Sequence, residues 1–311
     1  MLYANVPTRL KMCSNTIAAL GFAILYTEHH VADVSDTISR LRVQNVRNEQ
    51  IMLFNGHSAP TALTFSPIYT VPNNAEGSLT KTYAWMMSAA AACFQYIVFI
   101  EDDLALSPNF VAYMRWGRRV MELDPAVAVV SAWNDNAVPA VKLNPSLVFK
   151  TNQFMGLGWA VSAKHALMFA AGFSTRPWDL TMSETMATRG LVSIFPQFPR
   201  VYHRTASFWK FDTLQVLNTT RTVLPSPGTI ATNYKQYLQS ICILAYTHLA
   251  QSKADLEPAL KRSGLDVPWT TSSLTHGLYG AFLNTAVYAD QSGNQHIFSI
   301  YPNGANCSYR I

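Results

Sequence analysis

Short apolar runs alternate with helical patterns through the first half of the chain. Gly21–Tyr26 is a continuous apolar segment and reads as a strand. In Val34–Arg42 the apolar positions Val34, Ile38 and Leu41 share one helix face. Gln50–Phe54 reads as a second strand closed by the turn signal Asn55-Gly56, and Pro67–Val71 as a third, short one. Leu79–Phe94 has helix composition throughout. Tyr96–Ile100 is β-branched and aromatic and predicts a buried strand. Ser107-Pro108 predicts a helix start, with Ser at the N-cap and Pro first inside. That helix runs to about Leu123, where Asp124-Pro125 stops it. Val127–Ala132 is the next strand.

This alternation predicts crossover units and a mainly parallel, doubly wound α/β sheet. The second half is less regular. Helices are expected near Ala163–Ala171, ending at Gly172, over Tyr234–Ser252, and over Leu256–Ser263 with Gly264 as cap. Gly277–Pro302 looks like strands and turns. Pro225, Pro227 and Gly228 mark a boundary near Val223–Thr229, giving an expected division into residues 1–222 and a small α+β appendage, 223–311.

Composition narrows the function classes. Of 311 residues, 49% are hydrophobic and only 13% charged, which suits an ample core and excludes a disordered chain. A net charge of +5 is too weak to imply nucleic acid, and the densest basic cluster, Arg115, Arg118 and Arg119, also reads as a solvated helix face. No stretch approaches the roughly 18 to 20 apolar residues of a membrane span. Ile17–Tyr26 reads as a buried first strand rather than an anchor or signal peptide. Cys13, Cys93, Cys242 and Cys307 have no zinc-knuckle or CxxC spacing. Cys93 reads as a buried core thiol, while a disulfide between some pair stays open. Asn218-Thr219-Thr220 and Asn306-Cys307-Ser308 are sequons that hint at a secretory lumen.

Glu101-Asp102-Asp103 directly follows the buried strand. Ligands of open α/β sheets bind just beyond the carboxyl ends of the strands. Three adjacent carboxylates repel one another unless a positive charge compensates, and a hard divalent cation completed by diphosphate oxygens would do so. The alternative is an acid-rich solvated loop. Gly156-Leu157-Gly158-Trp159 allows either close approach of a ligand or a tight turn. Asp179 reads as either a catalytic carboxylate or the N-cap of a helix over Leu180–Ala187, roles that are compatible. Trp133 to Asn136 reads as polar groups beneath a ligand or as a strand-ending turn.

The surroundings of these residues carry a resemblance. Phe99-Ile100-Glu101-Asp102-Asp103-Leu104 with Ser107-Pro108-Asn109-Phe110, then Ser131-Ala132-Trp133-Asn134-Asp135-Asn136, then Gly156-Leu157-Gly158-Trp159, then Trp178-Asp179 with Met182, Arg189-Gly190, Pro196 and Arg200, resemble four successive blocks of the N-acetylglucosaminyltransferase I family. They occur in family order between about Lys81 and Arg200. The resemblance implies a GT-A fold and inverting transfer of GlcNAc from UDP-GlcNAc to a mannose hydroxyl of a glycan. It implies Asp103 as ligand of Mn²⁺ or Mg²⁺, Asp102 and Glu101 facing ribose and donor sugar, Asp179 as general base and Trp178 as its neighbour at the sugar. Trp133, Gly156, Gly158 and Trp159 join the implied substrate-binding set. Family members are Golgi type II membrane proteins, so a Golgi lumen is implied. This chain shows no anchor, which leaves an unusual soluble protein or a missing N-terminal part as expectations.

The pattern also departs from the family. Glu28-His29-His30-Val31 lacks the acid–Arg pair expected after the first strand, so His29-His30 reads either as a substitute contact or as a surface pair. Asn55 stands for an Asp that contacts uracil, and Leu191 for a phosphate-contacting Arg. Thr181 and Ser183 replace an aromatic and an Arg. The family's glycine-bearing lid segment after Arg200 is not recognisable, and Arg204, Ser207 and Lys210 are candidate substitutes for it. These departures bear on donor identity. They leave two further readings: a glycan- or partner-binding relative without turnover, and a transferase using another nucleotide sugar.

Overall fold

The structure is a computed structural model that describes residues 18–27, 30–56, 68–70, 77–134, 145–204 and 224–226, together with the strands at 284–289 and 295–300. The expected helices over Tyr234–Ser252 and Leu256–Ser263 lie outside the described residues, as does most of the expected boundary near Val223–Thr229. The chain proceeds through β1 (Ala18–Tyr26), α1 (Val31–Val43), β2 (Ile51–Asn55), β3 (Ile68–Thr70), α2 (Leu79–Ala91), β4 (Phe94–Glu101), β5 (Leu104–Leu106) and α3 (Phe110–Leu123). It continues through β6 (Val127–Ser131), β7 (Val148–Thr151), β8 (Trp159–Ser162), α4 (Ala163–Gly172), α5 (Trp178–Arg189), β9 (Val192–Pro196) and β10 (Val201–His203). Within the expected strand-rich tail, β11 (Asn284–Ala289) and β12 (Gln295–Ile300) form an antiparallel pair.

Eight strands form the central sheet in the order β3-β2-β1-β4-β8-β6-β9-β7. β1 runs parallel to β2 and β4, β2 to β3, and β6 to β9. Only β8, between β4 and β6, and the edge strand β7 run against them. The sheet is therefore mainly parallel, as the alternating pattern implies, with one reversed strand in its middle.

Side-chain alternation explains why both faces are covered. Phe22, Ile24 and Tyr26 of β1 and Val98 and Ile100 of β4 join one core with Val34, Ile38 and Leu41 of α1 and with the apolar face of α3. Ala23, Leu25, Ile97 and Phe99 point the other way into a second core with α2, α4 and α5. α3 approaches closely because position 117 is Gly: a Cβ there would lie 2.5 Å from Val130 Cγ1 of β6. The result is a three-layer α/β/α arrangement compatible with a Rossmann-like fold.

Three local readings change. The helix expected to reach Phe94 ends at Ala91, and Phe94 already pairs with Ala18 in the sheet. Ser107-Pro108 does not start α3. Its N-cap is Asn109, while the Phe110 amide bonds the Ser107 carbonyl in a preceding turn. Cys93 is buried as expected but is disulfide-bonded rather than a thiol, with its partner outside the described residues. Asp124 does terminate α3 as its C-cap. Among the described residues no helix is long and apolar enough to cross a membrane.

Candidate active site

The carboxyl ends of β1, β2 and β4 lie side by side, with Leu25 opposite Glu101 and Tyr26 opposite Asn55. β4 ends on Glu101, a turn carries Asp102 and Asp103, and β5 leads away. Each acid of the triplet meets a different partner. Asp102 Oδ2 accepts from the Thr27 amide at 2.7 Å and from Thr27 Oγ1 at 2.9 Å, which ties the turn to the end of β1. Glu101 Oε1 accepts from the Tyr83 hydroxyl at 2.7 Å. Asp103 Oδ2 lies 3.2 Å from His203 Nε2, on β10.

β10 is held beside the triplet by backbone geometry. His203 pairs with Leu104 in an antiparallel ladder, and the Arg204 amide donates to the Asp103 carbonyl at 2.8 Å. The Arg204 guanidinium reaches across to α1, where it pairs with Asp33 at 3.3 Å and with Asp36. Arg204, a candidate substitute for the lid segment, is thus engaged by two acids of the first helix; Ser207 and Lys210 lie outside the described residues. One oxygen or nitrogen from each of Glu101, Asp103 and His203 falls within 4.8 Å of the others. Two carboxylates and an imidazole fit a divalent cation that accepts oxygen and nitrogen donors.

Asp179 approaches this group from the other layer. It lies in the first turn of α5, whose N-cap is Pro177, so Asp179 stands inside the helix and does not cap it. Its charge acts on Glu101. The Glu101 carboxyl is pushed up to about 7 by burial, with added repulsion from Asp103, Asp102 and Asp179, against the hydrogen bond from Tyr83. The acids separated by some eighty sequence positions therefore share one site.

An aromatic wall connects them. Tyr83 stacks on Trp178 with ring centroids 3.9 Å apart and planes 19° from parallel. Trp159 stacks on Phe99 at 4.6 Å, and Phe154 meets Trp178 edge-on. Trp178 is buried beside the partly exposed Asp179 and shares one core with Trp159, while Trp133 lies in the other. Gly156 is buried in the loop before β8. Gly158 has φ +58°, and a Cβ there would come within 2.8 Å of Val201 Cγ1. Its carbonyl accepts from the Ala132 amide at 2.9 Å, so the glycine turn brings β8, the end of β6 and β10 together.

Tyr83 and His203 belong to the site but have no individual mark in the sequence. Tyr83 is one of several apolar positions on α2, and His203 sits in a three-residue strand. Asn55 is buried at the end of β2. His30 caps the start of α1 next to Asp33, at 3.3 Å. His29 lies outside the described residues.

A model of the GNT-I family matches residues 47–210, more than half of the chain, a span that holds the acid triplet, Asp179 and His203 but not β1 or α1. The chain belongs to the GNT-I family. It is also similar to an Arabidopsis thaliana protein named alpha-1,3-mannosyl-glycoprotein 2-beta-N-acetylglucosaminyltransferase, 24% identical over 149 residues. That alignment covers 45% of this chain and 33% of the relative, so the chain spans about a third of the length of that family member.

Proposed function

We propose that the chain is an inverting glycosyltransferase of the GT-A type. It transfers GlcNAc from UDP-GlcNAc in β linkage to a mannose hydroxyl of a glycoprotein glycan, as family membership and the relative's name suggest. The observation that supports this reading is the group Glu101, Asp103 and His203 at the carboxyl end of β4, with the charge of Asp179 acting on Glu101.

Inverting transfer needs a base on the acceptor side and compensation of charge on the departing diphosphate side. Asp179 takes the proton of the acceptor hydroxyl as its oxygen attacks the anomeric carbon and the bond from that carbon to the diphosphate oxygen breaks. Asp103 holds the metal. The divalent cation, when bound, supplies the positive charge that the leaving diphosphate requires. Glu101, set by the Tyr83 hydroxyl, faces the donor sugar, and Asp102 keeps the turn against β1 on the ribose side. Trp178 lines the sugar beside the base. Trp133, Trp159, Gly156 and Gly158 shape the floor. A Golgi-type setting accords with the family and with the disulfide at Cys93, a bond characteristic of oxidising compartments.

The test is UDP release from UDP-GlcNAc with a mannoside acceptor, with Mn²⁺ and with chelator. Wild type should turn over only with the metal. Asp179→Ala should lose about 10²- to 10⁴-fold in kcat, the range for removal of a positioned base. Asp103→Ala should lose metal-dependent turnover. Activity unaffected by both substitutions refutes the assignment. Silence with UDP-GlcNAc but turnover with a different nucleotide sugar moves the donor, and silence with all donors leaves a binding protein.

A further inference from the structure

The contact between Asp103 and His203 is suited to more than an ion pair. Bond lengths near 2.1 Å at an octahedral cation put neighbouring ligands about 3 Å apart and opposite ones about 4.2 Å apart. Asp103 Oδ2 and His203 Nε2 stand 3.2 Å apart, the spacing of neighbouring ligands, and the three donor atoms with Glu101 lie within 4.8 Å. Tyr83 occupies Oε1 of Glu101, and Oε2 is the other oxygen the carboxylate offers.

The imidazole is also fixed in place. The β5–β10 ladder, the Arg204 amide on the Asp103 carbonyl, and the Arg204 guanidinium on Asp33 and Asp36 all hold His203 against the triplet through contacts of the chain itself. Flexible ligands must be ordered by the ion they bind, whereas these are already ordered.

We propose that His203 is a nitrogen ligand of the cation held by Asp103, so that the protein takes up Mn²⁺ before nucleotide and prefers it to Mg²⁺. The inference rests on the reading of Asp103 as the metal residue. Imidazole nitrogen suits transition ions, whereas Mg²⁺ favours oxygen. Two protein ligands and the nearby Glu101 leave the other positions to water or diphosphate oxygens.

The experiment is titration of the full chain with Mn²⁺ alone, reading free ion by electron paramagnetic resonance, with Mg²⁺ as competitor. Spin-echo modulation of the bound ion reports nitrogen ligation directly. Wild type should bind Mn²⁺ without nucleotide and show nitrogen modulation. His203→Ala and His203→Asn should lose that modulation and weaken Mn²⁺ binding about tenfold or more while changing Mg²⁺ affinity about twofold or less. Tyr202→Phe, on the same strand, should match wild type, and thermal melts confirm that each variant is folded. Wild-type Mn²⁺ affinity and modulation in both His203 variants overturn the proposal, as does a wild type that takes up Mn²⁺ only with UDP. Asp103→Ala separates the two readings. If it alone abolishes binding, the inference about His203 fails and the metal assignment stands. If it too binds as wild type does, both fail.

Discussion

Glu101 has a displaced carboxyl at the centre of the site. Burial raises it to about 7, and the Tyr83 hydroxyl acts against that rise. A carboxyl raised on folding contributes stability below its unfolded value, and that contribution is lost as pH climbs through the folded value. Glu101→Gln should therefore match wild type near pH 4 and become the more stable protein between about pH 5 and 8, by up to about 3 kcal/mol. Denaturant melts across that range check it, and a difference independent of pH contradicts it. Arg200 presents the opposite charge in a deeper place. Its guanidinium is fully buried between the rings of Tyr113 and Phe198, each 5.8 Å away, and donates to the Pro145 carbonyl. Burial lowers it to about 10. Replacing a buried charge by an apolar side chain of similar volume is often neutral or stabilising. Arg200→Met should hold or raise the melting temperature, and Arg200→Ala, which leaves a cavity, should lower it. The sequence shows Arg200 only as part of a motif; that its side chain is a core element depends on Ala132 and Ser107, which bond its backbone at 2.7 and 2.9 Å.

At the scale of elements, legibility followed local signal. β1, β2, β4 and β6 are continuous apolar runs, and α1, α4 and α5 have periodic faces, so all were readable from spacing. β8, β9 and β10 were not. Trp159–Ser162 and Val201–His203 are three or four residues long and are strands only because neighbours supply their partners. The same limit hid His203, whose place depends on a ladder to β5. α5 began two residues earlier than its apolar pattern, at Trp178, and ended with Gly190 at φ +64°. Gly158 couples three elements. Gly158→Ala meets both a left-handed φ and Val201, so it should destabilise by about 1–3 kcal/mol and loosen β10. A melting temperature unchanged from wild type contradicts this. The clamp from β10 to α1 has its own pH signature. Burial raises the Asp36 carboxyl, but Arg40 and Arg204 together outweigh it and leave the group below the usual range. The clamp therefore contributes at neutral pH and is lost in acid. Asp36→Asn should lower stability at pH 7 and converge on wild type as pH falls below the ordinary carboxylate range. Equal stability at pH 7 contradicts it.

Across the whole molecule, the sheet and one helix layer bring two chemistries to the carboxyl ends of the parallel strands. β4 and β5 bring the acid triplet, and α5 brings Asp179 over the aromatic wall of Tyr83, Trp178 and Trp159. The order of motifs along the chain revealed the acids and the family, because their residues are contiguous. It singled out Trp159 and Trp178 but did not reveal Tyr83 of α2, or that the three rings stack into one wall. Nor did it reveal that Arg204, a candidate substitute for the lid segment, is paired with Asp33 and Asp36. The central claim is inverting transfer from a nucleotide sugar with Asp179 as base. The most direct measurement is proton NMR of the product formed from UDP-GlcNAc, a mannoside and Mn²⁺. A single new β-anomeric signal is expected, lost with Asp179→Ala. An α-linked product, or a β-linked product formed equally well by Asp179→Ala, would contradict it.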